Sequence, residues 1–399
     1  MSVVLLALLV PLGIAADVFV GSAPNGSLLL QPQAGQRVLV DGADLLAEFR
    51  SLAADFAAVK QQVAAQATTL DKLYCAPVAD TTTMAGLGGL SSKWHGGVLA
   101  PNGKIYGIPF SSPSVLIIDP AANTADVSTI TGLSDSEKWA GGVLAPNGKI
   151  YGIPYSSTAV LIIDPVTSTV DTTSIAGLAG SAKWLNGALA PNGKIYGIPN
   201  TFGAVLIVDP AANSVDTTTI SGLASGAQWG AAVVANNGKI YGVPLNSPSV
   251  LIIDPATNTA DTTTITNLPG TLNWYGGVLG ADGKIYGIPF NSPSVLIIDP
   301  ATNTADTTAL ANVGDAAVKW VGGVLAPSGK IYAIPHQSQS VLIIDPATNT
   351  SDATTITVGD SLNKWSYGVR ATNGMIYGLP SEAGTVLAIA QLCRLRRDL

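Results

Sequence analysis

The alternation of apolar and polar positions divides the chain into two unlike stretches. From Trp94 to Ile389, apolar residues come in short runs rich in Val, Ile, Tyr and Thr, each bounded by Gly, Pro, Asn or Asp. Runs this short, with such boundaries, predict strands and leave no room for a helix. Four of them, GGVLA, KIYGIP, SVLIID and DTTTI, recur in the same order in unit after unit. The seven tryptophans, Trp94, Trp139, Trp184, Trp229, Trp274, Trp320 and Trp365, mark the units at spacings of 45, 45, 45, 45, 46 and 45. Self-similarity at this period with four strands per unit predicts an all-β fold, a seven-bladed β-propeller of four-stranded antiparallel blades.

The connections agree with that reading. Asn-Gly follows the first run at Asn102-Gly103, Asn147-Gly148, Asn192-Gly193, Asn237-Gly238 and Asn373-Gly374, with Asp282-Gly283 and Ser328-Gly329 in the other two units. Asn and Gly accept the positive φ that tight hairpins require. The third connection, DPATNTAD, puts Pro where it halts a strand.

Closure of the ring follows from what the last unit lacks. It stops after Thr385 to Ile389, before any DTTTI run, and the missing run stands ahead of the first tryptophan as Ala79 to Met84. The two ends are therefore expected to complete the seventh blade together, with strand 79–84 beside Thr385 to Ile389, removing the edges of a cut ring. Aligned on the intact units, Cys75 falls on the position of Ala121 and Cys393 on that of Ala122, neighbours in one hairpin turn. That predicts a Cys75–Cys393 disulfide in place of the lost turn, and hence an oxidising compartment.

Before the ring the pattern changes. Residues 1–16 carry an apolar run, Val3 to Val10, then small residues up to Ala15 and Ala16, which reads as a signal peptide, although no Lys or Arg precedes the run. Residues 17–40 hold GSLLLQP and QRVLVDG, a candidate hairpin. Within 41–74 the period becomes helical: Leu45, Phe49, Leu52, Phe56, Val59, Val63, Leu70 and Leu73 recur at alternating steps of four and three, with Gln66 in the remaining seam position and Asp41 or Asp44 as cap. Such a stripe over 44–73 either packs on the ring or zips with copies of itself. The regular seam and its polar Gln66 favour a self-associating, coiled-coil-like helix. Residues 394–399 form a short basic tail with Arg394, Arg396 and Arg397.

Composition narrows the function classes. Only 11 % of residues are charged and the net charge is −7, which argues against nucleic acid, whose phosphates call for a basic stripe. The leader's apolar run is too short to span a bilayer as a helix, and no other stretch is long and apolar enough. No nucleophile elbow, phosphate loop or zinc motif occurs, so no catalytic residue, metal or cofactor is expected.

The residues that vary among units lie where loops should meet on one face. They are the residue after each tryptophan (His95, Ala140, Leu185, Gly230, Tyr275, Val321, Ser366) and the residue after each second-strand proline (Phe110, Tyr155, Asn200, Leu245, Phe290, His336, Ser381). Loops on a rigid scaffold commonly carry function. The tryptophans, preceded by Lys93, Lys138, Lys183, Lys319 and Lys364 and by Gln228 and Asn273 in units four and five, admit two readings. Structurally, seven indoles fill seven equivalent wedges between blades. Functionally, Trp beside Lys offers sugars a flat apolar face with a donor at its edge. The repeated Asp119, Asp164, Asp209, Asp254, Asp299 and Asp345 precede Pro and read as turn caps rather than Ca²⁺ ligands. Among the non-repeated carboxylates, Asp315 and Asp360 stand in neighbouring inter-blade loops, where a pair could support hydrolysis. His95 and His336, in units one and six, are not expected to share a metal.

With the units laid out, NGKIYGIP followed by VLIIDPATNTADTTTI resembles the YVTN-type propeller repeat of secreted and surface proteins and, more distantly, kelch. The likeness spans 79–389. It departs from kelch in placing Gly-Gly after the tryptophan, at the start of the first strand. The resemblance implies a propeller that binds proteins or glycans and carries over no catalytic residue.

The chain is thus expected to be a secreted, non-catalytic binding or adhesion module with a glycan or protein ligand on the variable loop face. A structural component of a surface layer and a glycan-active enzyme are the alternatives. Candidate ligand-binding residues are the seven tryptophans, the five lysines, Phe110, Tyr155, Phe290 and His336.

Overall fold

Each tryptophan opens the first strand of a blade. In this computed structural model, which describes residues 19–22, 28–31, 39–40, 43–44, 51, 54–62 and 73–395, Trp94–Leu99, Ile105–Pro109, Leu116–Asp119 and Thr124–Asp126 form blade one as a meander. The antiparallel register pairs Val98 with Tyr106, Ile105 with Ile118 and Asp119 with Thr124. Blades two to six repeat the arrangement from Trp139, Trp184, Trp229, Trp274 and Trp320.

Burial explains the residue types. First strands mix buried and half-buried positions, alternating strictly in Trp94–Leu99, whereas second strands such as Ile105–Pro109 are buried at every residue because both faces meet neighbouring blades. First strands also pack against the first strands of the blades on either side, blade seven against blade one included, so they line the axis of a closed ring. Just after the tryptophan the register slips by a bulge in every blade: in blade one Trp94 faces Pro109, yet Gly97 faces Gly107. Gly96 takes φ +87° there, and a Cβ on it would lie 2.7 Å from Gly141 Cα of the next blade. The glycine is needed both for its backbone and for that approach.

The core is divided among the blade junctions. Val98, Tyr106, Ile108 and Ile117 of blade one pack with Trp139, Ile150, Leu161 and Ile163 of blade two. The seventh junction is equivalent: Val369, Tyr377, Leu379 and Val386 of blade seven pack with Trp94, Ile105, Leu116 and Ile118 of blade one. One buried indole per junction contributes about 4–6 kcal/mol of transfer free energy as an upper bound.

Blade seven is assembled from both ends, in the order Trp365–Arg370, Ile376–Pro380, Leu387–Leu395 and Leu73–Asp80. The N-terminal strand lies earlier than the expected 79–84 because the fourth strand of every blade ends at the aspartate, as Thr124–Asp126 does in blade one, and the Thr-rich residues after it form a turn. The cause is the aspartate. Asp126 Oδ1 accepts from the Ser128 amide at 2.7 Å and its hydroxyl at 2.7 Å, and Asp126 Oδ2 accepts from the Thr129 hydroxyl, bending the chain out of the sheet. Fourth strands of three residues leave only a short outer edge, and Pro77 is tolerated at that edge in blade seven. The two strands that carry Cys75 and Cys393 are neighbours, but both side chains lie outside the described residues.

Ahead of the ring, Phe19–Ser22 pairs with Leu28–Gln31 and Leu39–Val40 with Ala43–Asp44. Residues 51 and 54–62 are helical, while Leu73 belongs to a strand rather than to the helical seam. The proposed leader 1–16 and the tail 396–399 lie outside the described residues. No helix among the described residues is long and apolar enough to cross a membrane.

Candidate functional site

At the end of the ring where the tryptophans sit, the backbone forms a circular relay. The Phe110 amide donates to the Lys93 carbonyl at 2.9 Å, and the Lys138 amide of the next blade donates to the Phe110 carbonyl at 2.8 Å. The same pair of bonds recurs around the ring and closes where the Lys93 amide reaches the Ser381 carbonyl at 3.0 Å. In blade three the Asn200 carbonyl accepts instead from Ala227, one residue early. The relay ties the variable residue after each proline to the residue before a tryptophan, and so holds those loops on one rim.

The tryptophans and lysines supply the scaffold below this rim. All twelve side chains are at most 3 % exposed. Each indole N–H donates to the carbonyl twenty residues on, Trp139 to Ala159 at 2.7 Å and Trp320 to Ser340 at 2.8 Å. Lys138 Nζ donates to the carbonyls of Phe110, Ser112 and Asp135, clamping the loop of blade one to blade two, and Lys183 does the same to Tyr155, Ser157 and Gly180. Their faces and donors are taken up inside the blades, the arrangement of the wedge-filling reading. Burial lowers each lysine, opposed by Glu382 beside Lys93, Asp135 beside Lys138, Asp315 beside Lys319 and Asp360 beside Lys364. Lys183 has no such carboxylate and burial brings it down to about 8. Asp315 and Asp360 are exposed loop residues, and each serves a different lysine.

Above the scaffold the variable side chains converge on the axis. His95 stands 5.5 Å from Phe110, 6.0 Å from Tyr275 and 5.0 Å from Tyr367, ring centre to ring centre. Phe110 continues to Tyr155 at 5.2 Å, and Tyr275 to Phe290 at 5.2 Å. His336 Nδ1 lies 2.9 Å from the Trp365 carbonyl and so carries the proton. A cavity of about 210 Å³ opens among these rings, lined by His95, Phe110, Tyr275, Phe290, Val321 and His336, with Ser92, Ser366 and Ser381 at its polar edge. Larger clefts exist on the outside, but three of them repeat one set of residues at equivalent junctions, as Tyr106 with Asp119 and Asp126 does in one and Tyr286 with Asp299 and Asp306 in another. A cleft copied by the repeat carries no individuality; the mouth belongs to one combination of blades.

The mouth is uncharged near neutral pH. Burial, reinforced by His336, lowers His95 to about 3, and burial likewise lowers His336. Burial pushes the Tyr275 and Tyr367 phenols well above their usual range. The Tyr275 hydroxyl meets His95 Nε2 at 3.3 Å, whereas His95 Nδ1 is buried with no partner among the described residues, and the Tyr367 hydroxyl is buried with Asn186 as a polar neighbour there, too far for a well-formed hydrogen bond. Among the described residues no group of three His, Cys, Asp or Glu side chains comes together as metal ligands.

The sequence reading placed Phe110, Tyr155, Phe290 and His336 on this face, and the structure draws them to its centre together with His95 and Tyr275. It also brings His95 and His336 to one cavity although blade seven lies between them, because a ring shortens such separations near its axis. Tyr367 escaped notice. Its signal is the broken Trp-x-Gly-Gly pattern: Trp365-Ser366-Tyr367-Gly368 puts a tyrosine where blades one, two, five and six have glycine, and Asn186 is the parallel case in blade three.

No curated protein matches the chain in sequence. Its structure is similar to that of a streptogramin B lyase, with 10 % identity and a TM-score of 0.64 over 80 % of this chain and 98 % of that one. Virginiamycin B lyase from Staphylococcus aureus gives 7 % identity and a TM-score of 0.64 over 80 % of this chain and 100 % of the other. An extracellular domain of a protein described as a hybrid two component system from B. thetaiotaomicron gives 11 % and 0.57, over 80 % of this chain and 42 % of that one. Identities this low establish a shared propeller fold. The sequence relationship lies elsewhere: residues 59–266, more than half of the chain, match a repeat of unknown function (DUF6923), and the chain belongs to that family.

Proposed function

We propose that this protein is a secreted, non-catalytic binding module that takes an uncharged ring of a glycan or protein ligand into the aromatic mouth of its channel. The supporting observation is the contrast between scaffold and rim. Seven tryptophans repeat and are buried, while His95, Phe110, Tyr275, Phe290 and His336 break the repeat and line one cavity, with Tyr155 stacked behind Phe110 and Tyr367 behind His95. Aromatic faces with a few convergent polar atoms suit a sugar ring or an aromatic side chain, and 210 Å³ holds one such group rather than a long chain. Neutral imidazoles and phenols add no ionic preference. A signal-like leader over 1–16 supports secretion, in keeping with the extracellular domain among its fold neighbours.

Glycan and peptide arrays probed with the full chain test this reading. Phe110→Ala and Tyr275→Ala are expected to lower affinity at least about tenfold, with the ring still folded. Undiminished binding in both variants would place the ligand elsewhere.

One observation favours a second reading as an enzyme. His95 lines the cavity with its Nδ1 bonded to none of the described residues, so a bound ligand meets an uncharged imidazole directly, as a hydrogen-bond partner for a reacting group rather than as a strong base. Two fold neighbours are lyases. Turnover of a bound ligand that disappears in His95→Ala, with binding retained, would establish it.

A further inference from the structure

The nine described residues of the helical stretch, 54–62, are all exposed, with Phe56 71 % and Val59 56 % open to solvent. A Phe and a Val held open to water on a helix form an unfavourable apolar stripe. The sequence continues the stripe in both directions. Taking Phe49, Phe56, Val63 and Leu70 as a positions puts Leu45, Leu52, Val59 and Gln66 at d, a seam apolar except at Gln66 that ends before Leu73 enters its strand. A strict 3.5-residue period is the pattern of helices that pair with one another rather than of a helix lying on a globular surface, which needs a broader apolar face.

We propose that a second copy of this chain covers this seam, in a parallel coiled coil. The charges select both partner and direction. In this register Asp55 occupies a g position and Lys60 the e position five residues later, the two sites that face each other across a parallel pair. Asp55 of one copy therefore meets Lys60 of the other, twice per dimer by symmetry. An antiparallel pair would set Asp55 toward another Asp55 and Lys60 toward another Lys60. Gln66 is the polar layer that holds the helices in register. A coil of two copies joins two rings in one assembly, so once one mouth holds a multivalent ligand the second engagement becomes intramolecular. This goes beyond the binding reading and does not depend on what the mouth binds.

Light scattering on the full chain tests it. The wild type is expected at a multiple of the single-chain mass of 40.4 kDa, less any cleaved leader. Phe56→Asp with Val59→Asp is expected to give single chains, with the ring's strand signal and melting temperature unchanged. Asp55→Lys is expected to raise the dissociation constant at least about tenfold, and adding Lys60→Asp to restore it. A monomeric wild type at its highest soluble concentration overturns the proposal, as does an oligomer that survives Phe56→Asp with Val59→Asp. A double charge swap without rescue overturns the parallel arrangement.

Discussion

The Tyr275 hydroxyl and His95 Nε2 lie 3.3 Å apart although 180 residues separate them in the chain. Both follow their tryptophans at the start of an innermost strand, one in blade five and the other in blade one, so the pair spans the channel. Any change in the shape of the ring changes that distance.

His95 is expected to make stability depend on pH. Its folded value is lowered from 6.5 to about 3, so between those limits the unfolded chain binds a proton that the folded chain refuses. Stability therefore falls as pH drops from about 6.5 toward 3, by up to about 1.4 kcal/mol per pH unit for this group. Thermal melts from pH 7 to 4.5 should show the slope, and His95→Ala, the residue blade two carries at this place, should flatten it. An imidazole resonance that titrates near 6 would contradict the geometry.

Buried tryptophan and rim aromatic should behave oppositely. Trp139→Ala removes a side chain that is 3 % exposed and leaves the Ala159 carbonyl without its donor, a loss of about 3–5 kcal/mol. Phe110 is half-buried and bonded to the ring only through its backbone, so Phe110→Ala should cost about 1–2 kcal/mol and act on binding instead. Urea melts read beside a binding assay separate the two.

Blade five offers a stabilising change. Asp306 lacks a second hydroxyl because Ala309 stands where the turns of the other blades have Thr or Ser. Ala309→Thr restores the bond that Thr129 makes to Asp126, for a gain of about 0.5–1 kcal/mol in an exposed turn. These turns also set acid tolerance. Hydroxyl and amide donors hold Asp126, Asp216, Asp261 and Asp352 down to about 2, below the ordinary 3.8. Their contribution is complete above pH 3.8 and disappears as pH falls through about 2, so circular dichroism should show an acid transition in that window.

Gly322 makes room for Tyr367. A Cβ on Gly322 would come within 2.7 Å of Tyr367 Cδ1 and 3.0 Å of its Cα. Gly322→Ala should therefore displace the tyrosine ring and weaken ligand binding along with stability, by about 1–3 kcal/mol. Pairing it with Tyr367→Gly should recover the stability and leave the binding defect.

A covalent clasp is expected where the ring was cut. Carrying the register of blade one, in which Ile117 faces Asp126, into blade seven places Ala388 opposite Asp80 and Cys393 opposite Cys75. Facing residues of an antiparallel pair have Cα atoms about 4.5–5.5 Å apart, within disulfide reach. Non-reducing mass spectrometry of secreted protein should find no free thiol. Reduction should lower stability by about 2–4 kcal/mol.

Much of this architecture was legible because it is local and repeated. The strand runs, the Asn-Gly turns and the tryptophan period each report a short-range requirement, and seven copies make the requirement unmistakable. The strand taken to be DTTTI was misplaced for a local reason as well. β-Propensity favoured Thr and Ile, whereas one aspartate carboxylate bends that segment into a turn, and only its hydrogen bonds reveal this.

The number of blades, the shared seventh blade and the one rim for the variable residues were all written in the order of residues, since each follows from counting units and turns. What the mouth contains was settled only by closing the ring. Near the axis, residues hundreds apart in sequence are brought within about 6 Å, and whether a side chain such as Tyr367 reaches the centre depends on a glycine in the neighbouring blade. Periodicity records what every unit has in common. A binding site is made from their differences, and those combine only across space.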